Sequence, residues 1–325
     1  MLASSYIEWL ERQARKHPRL AFFHRSNLWL YQHLKLFLEM CMGFFHGHSS
    51  KVRLFCYHSY PNFGDALNAD VMRHFQVDFS YSTISGANAL CIGSLLEEVL
   101  VTKARTIKYD SPVHVFGTGF MMPQEDANER LNRPVVFHAL RGKLTLGRCE
   151  QMVNHPLSDV AIGDPGLLVK HFFPDIKHNP TYDVGIILHS RDINSPVLQN
   201  LHFKDKSVKF IDILLPTREF AKAVSECRLV LSSAMHGLIC ADSLNIPNRW
   251  LVVSGKVEGG GYKFRDYYSA FSSSERTPLN LAVTPLYDAD VERLVGEYQD
   301  VSTEVDAICE GLAKALSKLK NLSIA

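Results

Sequence analysis

The sequence predicts an α/β protein with two Rossmann-like halves that face each other across a cleft, preceded by extra N-terminal helices. From residue 52 onward, short apolar runs bounded by turn residues alternate with segments of helical length. This alternation is typical of βαβ units with a parallel sheet. It occurs in two series, separated by a break that contains Asp164-Pro165 and the prolines at 174 and 180. In such folds, ligands bind at the carboxyl ends of the strands.

The first series contains a predicted helix at 66–75, and its predicted strands lie within 52–58, 89–96, 113–120 and 135–141. The second series has predicted helices at 217–227 and 235–244, and its strands lie within 182–190, 208–214, 228–233 and 249–254. An apolar stripe of helical period predicts C-terminal helix at 288–320. We therefore divide the chain into a helical segment (1–50), a first domain (51–178) and a second domain (179–325).

The charge balance excludes two broad classes of protein. The 325 residues include 35 Lys+Arg and 34 Asp+Glu, a net charge of +1, and 46% of the residues are hydrophobic. A disordered chain needs lower hydrophobicity and a larger net charge. A broad electrostatic surface for nucleic acid needs a basic excess. We therefore expect a folded protein with no nucleic-acid partner.

The N-terminal segment is unusually aromatic and basic. Residues 1–50 hold nine of the 34 aromatic residues and six Lys/Arg against three Asp/Glu, and the segments 5–17 and 27–45 have helical periodicity. Such helices can lie in a membrane interface. The interpretation that we favour is a helical pair packed on the domain surface or at the dimer contact of a homo-oligomer, and membrane contact is the alternative.

Cysteine usage and hydropathy indicate a cytoplasmic protein. The seven cysteines are odd in number and widely spaced, without a Cys-x-x-Cys pair, which is typical of reduced thiols. We see no signal peptide and no apolar stretch long enough to span a membrane. We therefore expect a cytoplasmic location, with residues 1–50 as the segment that could contact the inner face of the cell membrane.

Two glycine-containing turns follow strands of the first series. Asn62-Phe63-Gly64-Asp65 opens a helix, where free N–H groups can bind an anion. Asp65 is either a general acid or base or the N-cap of that helix. Gly117-Thr118-Gly119 permits a close ligand approach, but without a third glycine it does not form a dinucleotide fingerprint.

Three further segments place charge or a proton carrier beside the expected cleft. Arg141 follows an apolar run and is suited to binding a carboxylate or phosphate in a bidentate manner, although a solvated charge on a helix start explains it equally well. His236 lies at a strand-to-helix junction behind Ser232-Ser233, where histidine can carry a proton. The loop Glu258–Tyr268 combines three glycines with Lys263 and Arg265.

These segments, in this order, resemble the polysaccharide pyruvyl transferase family, over residues 52 to 270. The resemblance rests on short motifs: Asn62-Phe63-Gly64-Asp65 with Leu67-Asn68, Gly93-Ser94, Gly117-Thr118-Gly119, Arg141-Gly142 with Thr145, Gly163-Asp164-Pro165, Ser232-Ser233-Ala234-Met235-His236-Gly237, and Lys263-Phe264-Arg265-Asp266-Tyr267-Tyr268. The family often has Arg-Leu where this chain has Ala234-Met235. Lys263, Arg265 or Arg141 would therefore have to supply the missing positive charge.

The resemblance implies a GT-B-like fold and transfer of a pyruvyl group from phosphoenolpyruvate to a sugar. The implied product is a cyclic ketal, and the implied acceptor is a lipid-linked oligosaccharide or a growing polysaccharide on the cytoplasmic side. No cofactor is implied, since phosphoenolpyruvate is the donor substrate. We expect no metal site, because His46-Gly47-His48 lacks a recognisable third ligand.

The candidate catalytic residues are His236 as an acid, base or phosphate contact, Asp65 as the base for the acceptor hydroxyl, and Arg141 as the clamp on the donor's carboxylate or phosphate. The candidate binding residues are Asn62, Gly64, Gly117, Gly119, Ser232, Ser233, Gly237, Lys263 and Arg265. Two alternatives remain: a nucleotide-sugar glycosyltransferase of the same architecture, and a non-catalytic scaffold in polysaccharide assembly.

Overall fold

The computed structural model describes residues 52–57, 62–101, 111–272 and 276–324. The predicted helical segment at 1–50, with Cys41, His46 and His48, lies outside the described residues. Within the described part of the chain, no helix is both long and apolar enough to cross a membrane.

The first series forms a parallel sheet of six strands, in the order β2-β1-β3-β5-β7-β8, beside an antiparallel pair of β4 and β6. The strands are β1 (Val52–Phe55), β2 (Phe79–Tyr81), β3 (Ala89–Leu90), β4 (Leu100–Val101), β5 (Val113–Phe116), β6 (Arg130–Leu131), β7 (Val135–Leu140) and β8 (Ala161–Ile162). The helices are α1 (Phe63–His74), α2 (Lys143–Val153) and α3 (Val169–Phe172), with 3-10 turns at Leu96–Val99 and Pro165–Leu168.

The second series forms a parallel sheet of five strands, in the order β11-β9-β12-β13-β14, beside a parallel pair of β10 and β15. The strands are β9 (Tyr182–Ile187), β10 (Leu201–His202), β11 (Val208–Ile211), β12 (Cys227–Ser232), β13 (Asn248–Val252), β14 (Leu279–Asn280) and β15 (Leu286–Tyr287). The helices are α4 (Thr217–Ser225), α5 (Met235–Ser243), α6 (Tyr262–Tyr268), α7 (Asp288–Gly296), α8 (Ser302–Ser317) and α9 (Leu319–Ile324), with a 3-10 turn at Pro196–Asn200.

The predicted α/β fold with two parallel sheets is confirmed. The strands are short and strongly apolar because each sheet is buried by helices, as is usual for parallel sheets. The boundaries at 51–178 and 179–325 and the GT-B-like arrangement stay predictions. The C-terminal helical region at 288–320 differs from a single helix, since it is divided into α7, α8 and the start of α9.

Apolar contacts join the two halves below the cleft. The ring of Phe63 on α1 stacks on that of Phe220 on α4, with centroids 4.1 Å apart. Helix α5 packs on the turn Pro165–Leu168, where the Ser243 hydroxyl donates to the Leu167 carbonyl at 2.7 Å. Helix α8 returns from the second series to pack on β7 and β8 of the first sheet. These contacts fix the relative positions of the strand ends that form the site.

Candidate active site

A cleft of about 820 Å³ lies between the two halves at the carboxyl ends of their strands. Both halves supply ionisable side chains to its wall: Asp65 and Glu97 from the first, and His189, Arg191, His236, Glu258 and Lys263 from the second. The cleft therefore brings together four of the site residues that the sequence predicted, namely Asn62, Asp65, His236 and Lys263.

Asn62, rather than Asp65, caps helix α1. Its Oδ1 accepts hydrogen bonds from the N–H groups of Gly64 at 2.9 Å and Asp65 at 3.3 Å. Its Nδ2 donates to Oδ2 of Asp65 at 2.5 Å. This cap starts the helix at Phe63, three residues earlier than predicted. It also leaves the Asp65 carboxyl in the first turn, facing the cleft.

The Asp65 carboxyl is held mainly in its neutral form at neutral pH. Burial raises its pKa from 3.8 to about 8, although the hydrogen bond from Asn62 and the charge of Lys263 act in the opposite direction. Desolvation dominates because an ionised carboxylate loses more hydration than these two neighbours return. A carboxylic acid with this pKa can donate a proton near pH 7.

His236 sits in the first turn of α5, with its ring packed against Gly64. A Cβ added at Gly64 would lie 2.0 Å from Nδ1 of His236, so the ring needs a glycine there. Gly237 serves the packing of the same turn, because a Cβ there would lie 2.5 Å from Oγ of Ser232. These two predicted binding glycines thus bring protein groups close to one another around the histidine.

Asp164 lies behind the histidine. Its Oδ2 is 3.7 Å from Nε2 of His236, and both atoms are buried without a hydrogen-bond partner in the described part of the chain. Its Oδ1 accepts the Gly166 N–H at 2.8 Å, which fixes the carboxyl group. Nε2 thus faces Asp164, whereas Nδ1 lies on the side of Gly64. A carboxylate behind a histidine is a common way to orient the ring.

Ser232 and Ser233 are buried and build the turn between β12 and α5. Oγ of Ser232 accepts the Ala234 N–H at 3.1 Å and donates to the Ala234 carbonyl at 2.7 Å. Oγ of Ser233 accepts the His189 N–H at 2.9 Å, which ties this turn to the end of β9. Neither serine is part of the cleft wall.

His189 and Arg191 line the cleft but were not recognised in the sequence. His189 follows β9, and its Nδ1 accepts the Arg191 N–H at 3.3 Å. Burial and the nearby charge of Lys263 lower the pKa of His189 to about 4, so this ring is neutral at pH 7. Arg191 forms an ion pair with Glu258. The sequence does indicate this position, because His-Ser-Arg directly follows a buried strand. His236 was predicted from the same kind of position, after a strand and before a helix.

Lys263 supplies a cation that is ready to bind an anion. It is buried at the start of α6, lines the cleft, and forms no hydrogen bond or ion pair with any other described residue. Burial, helped by repulsion from Arg141, lowers its pKa to about 8. An anionic ligand would restore the charge that burial disfavours. Arg265, two residues further along the same helix, is exposed, donates to the Gly260 carbonyl at 2.8 Å, and lies outside the cleft wall.

Arg141 is fully buried behind the cleft. Its Nε donates to Oδ2 of Asp266 at 2.8 Å and its Nη1 to Oγ of Ser94 at 2.7 Å. Ser94 is part of the cleft wall, whereas Arg141 is not. Asp266 also accepts the N–H and hydroxyl of Thr145. The arginine is thus placed to fix Ser94 rather than to meet solvent.

Gly117 and Gly119 make room for these buried groups. A Cβ at Gly119 would lie 2.6 Å from Nη2 of Arg141. Gly117 has a φ of +102°, and a Cβ there would lie 2.4 Å from Cδ of Pro165. Both positions require glycine because of protein contacts, and neither glycine is part of the cleft wall.

Across the described residues, no group of three or more His, Cys, Asp or Glu side chains could hold a metal ion. The described cysteines are buried, and none of them forms a disulfide with another: Cys56, Cys91, Cys149, Cys227, Cys240 and Cys309.

The protein is thus an α/β protein with two parallel sheets and a cleft between them. The acid, the histidine and the cation in this cleft form a site suited to an anionic ligand. The sequence model of the Polysaccharide pyruvyl transferase family matches residues 14–255, and the chain belongs to this family. The resemblance stated from the motifs is thereby confirmed.

Individual relatives add little about function. An uncharacterized protein of Acanthamoeba polyphaga mimivirus is 36% identical over 138 residues, which cover 41% of this chain and 47% of the relative. The chain thus spans about half the length of this curated relative. The structure of a functionally uncharacterized protein from Klebsiella pneumoniae covers 74% of this chain and 98% of its own, with 13% identity and a TM-score of 0.35.

Proposed function

We propose that the protein transfers a pyruvyl group from phosphoenolpyruvate to two hydroxyls of a sugar, forming a cyclic ketal and releasing phosphate. The observation that carries this proposal is the meeting of the neutral acid Asp65, the histidine His236 with Asp164 behind it, and the cation Lys263 in one cleft. Membership in the polysaccharide pyruvyl transferase family supports the same reaction.

The reaction needs an acid that protonates the methylene carbon of the donor and a base that deprotonates the hydroxyl attacking the neighbouring carbon, C2. A proton added to the methylene carbon of the donor leaves an electron-poor C2, which a sugar hydroxyl attacks while losing its own proton. The bond between C2 and the phosphate oxygen then breaks, a second hydroxyl adds to C2, and its proton is released. General acid and base groups accelerate such proton transfers.

We assign Asp65 as the proton donor to the methylene carbon and Nδ1 of His236 as the base for the first hydroxyl. This differs from the role suggested by the sequence, in which Asp65 is the base. Its raised pKa favours the acid, because most of the carboxyl is protonated near neutral pH. The departing phosphate takes the proton from His236, and the second hydroxyl returns one to Asp65, which restores both groups.

We assign Lys263 to the donor's anionic groups. It is the buried cation of the cleft wall, whereas Arg141 lies behind Ser94 in a closed ion pair. In this proposal Arg141 acts by holding the Ser94 hydroxyl toward the donor, and Lys263 supplies the charge for the carboxylate or phosphate. Lys263 would thus supply the positive charge that is missing because this chain has Ala234-Met235 where the family often has Arg-Leu.

The cleft has room for a second substrate beside the donor. Its volume of about 820 Å³ lies toward the upper end of ligand pockets, far above the needs of a three-carbon phosphate ester. We propose a lipid-linked oligosaccharide or growing polysaccharide as acceptor, in a GT-B-like arrangement of the two sheets. A lipid-linked acceptor would bring the protein to the inner face of the cell membrane, with residues 1–50 as the proposed contact segment.

The deciding experiment incubates the protein with phosphoenolpyruvate and lipid-linked saccharides, then follows phosphate release and the pyruvate ketal by mass spectrometry. We expect Asp65→Asn and His236→Ala to lose both products, while Arg265→Ala, a change outside the cleft wall, keeps them. Turnover of a nucleotide sugar without use of phosphoenolpyruvate would favour the glycosyltransferase. Absence of phosphoenolpyruvate binding by calorimetry would favour the scaffold.

A further inference from the structure

A second, smaller cavity lies at the opposite end of the second sheet. Its volume is about 130 Å³, and it is entered between the start of β13, the end of α6 and the end of α7. The side chains around it include Asn248, Trp250, Tyr268, Arg276, Glu297 and Tyr298. The main cleft lies at the carboxyl ends of the strands, whereas Asn248 is the first residue of β13, so the two cavities are separate.

Three buried polar atoms in the wall of this cavity form no hydrogen bond of normal geometry with another described residue, although the Tyr268 side chain and the Arg276 guanidinium lie close enough to interact. They are Oδ1 of Asn248, the hydroxyl of Tyr268 and Nη2 of Arg276. Tyr268 and Asn248 are both more than nine-tenths buried. A buried polar atom without a partner is costly and uncommon, so three around one cavity indicate an occupant that binds them.

The buried carboxylate of Asp242 fixes the orientations of two of these side chains, Asn248 and Arg276. Nδ2 of Asn248 donates to Oδ1 of Asp242 at 2.8 Å and to the Ile246 carbonyl at 3.0 Å, which leaves its Oδ1 as the free acceptor. Nη1 of Arg276 donates to both oxygens of Asp242 at 2.8 and 2.9 Å. Asp242 also accepts the Tyr267 hydroxyl at 2.7 Å, so its own charge is satisfied without a ligand.

The charges around the cavity limit the charge of its occupant. Arg276 is balanced by Asp242, and Arg249 at the rim is balanced by Glu297 at 2.7 Å. Because these pairs are balanced, a di- or trianion such as phosphoenolpyruvate would leave two or three negative charges uncompensated, whereas a monocarboxylate leaves one. A single carboxylate can still accept from Arg276 and Tyr268, since charged acceptors form the stronger hydrogen bonds with guanidinium groups. Asn248 then requires a donor, such as a hydroxyl, on the same molecule.

We propose that this cavity is a binding site for a small hydroxycarboxylate. The carboxylate would accept from Nη2 of Arg276 and the Tyr268 hydroxyl, and the ligand's hydroxyl would donate to Oδ1 of Asn248. A volume of about 130 Å³ holds roughly four water molecules, or a ligand of comparable size such as lactate or glycerate. The proposal is independent of the reaction in the main cleft.

The test is direct calorimetry with lactate and glycerate, with propionate as the control that lacks a hydroxyl. We expect both hydroxy acids to bind and propionate to bind about tenfold more weakly, the effect of leaving one buried acceptor unpaired. Tyr268→Phe should weaken lactate binding about tenfold. Tyr262→Phe, which removes a hydroxyl from the same helix outside this cavity, should leave lactate binding unchanged.

Three results would overturn the proposal. Lack of binding by either hydroxy acid at millimolar concentration would mean that water alone fills the cavity. Equal binding of lactate and propionate would show that Asn248 does not accept a hydrogen bond from the ligand's hydroxyl. Loss of lactate binding in the presence of saturating phosphoenolpyruvate would place the lactate in the main cleft. If Tyr268→Phe fails to fold, this competition and the propionate comparison still decide the question with the wild-type protein.

Discussion

Arg141 and Asp266 form an ion pair that is fully closed off from solvent and joins the two halves of the molecule. Arg141 follows β7 of the first sheet, and Asp266 lies on α6 beside the second. The next residue, Gly142, packs so closely that a Cβ would lie 1.7 Å from the Asp266 carbonyl oxygen. This buried ion pair is therefore one of the contacts that hold distant parts of the chain together.

We expect Asp266→Ala to destabilise the protein strongly. The change leaves the Arg141 charge buried without its partner, which costs about 3–5 kcal/mol in comparable buried pairs. Denaturation in urea measures the loss. Glu292→Ala, which breaks the exposed pairs with Arg228 and Lys206, is the control and should leave the midpoint nearly unchanged. A similar small effect for both variants would contradict a structural role for the buried pair.

Gly64→Ala should abolish activity by displacing His236. The new methyl group would lie 2.0 Å from Nδ1, so the ring has to move away from its position in the cleft. A displacement of about 1 Å can reduce turnover roughly 100-fold. Gly147→Ala on α2, where nothing lies within 4 Å of the added carbon, should retain full activity. The rate of phosphate release measures the activity of both variants. Full activity of Gly64→Ala would show that His236 does not take part in the reaction.

Asp65 should make the folded state less stable as the pH rises. Its pKa is about 8 in the folded protein and near 3.8 when unfolded, so the folded state binds more protons between these values. The contribution of Asp65 is therefore fully present below pH 4 and lost as the pH rises to 8. We expect Asp65→Asn to show a smaller decline in unfolding free energy from pH 5 to pH 8 than wild type. Equal slopes would show that the carboxyl ionises normally.

Asp164→Asn should lower kcat while leaving the KM for phosphoenolpyruvate nearly unchanged. Asp164 faces Nε2 of His236 from behind and is not part of the cleft wall, so its removal affects the proton transfer rather than donor binding. We expect kcat to fall roughly 100-fold, within the range contributed by general acid–base groups. Asp306→Asn, an exposed change on α8, is the control. A large rise in KM without a change in kcat would assign Asp164 to binding.

Two residues of the cleft wall, Asp65 and His236, could be predicted because the rule that identifies them depends only on neighbouring sequence. A strand followed by a turn and a helix places the turn at the carboxyl edge of a parallel sheet, and this rule found Asp65 and His236. It missed His189, because the apolar run at 182–190 places this residue within the predicted strand. The same rule would have marked it, since it follows β9 in the same manner.

The burial of Arg141 could not be predicted in this way. Its partner is 125 positions further along the chain, and nothing near Arg141 in the sequence indicates that contact. The same holds for the glycines: the need for Gly64 arises from His236, a residue of the other half of the molecule. Contacts of this kind depend on how the two sheets meet, which local patterns do not determine.

Helix α6, only seven residues long, contributes side chains to three different regions of the molecule. Lys263 faces the main cleft, Asp266 holds the first half through Arg141, and Tyr268 borders the small cavity. A change of Lys263 alone would leave the position of α6 determined by the contacts of Asp266 and Tyr268. For protein engineering, the exchangeable unit is therefore the whole of α6 together with Arg141 and Gly142, moved between relatives as one cassette.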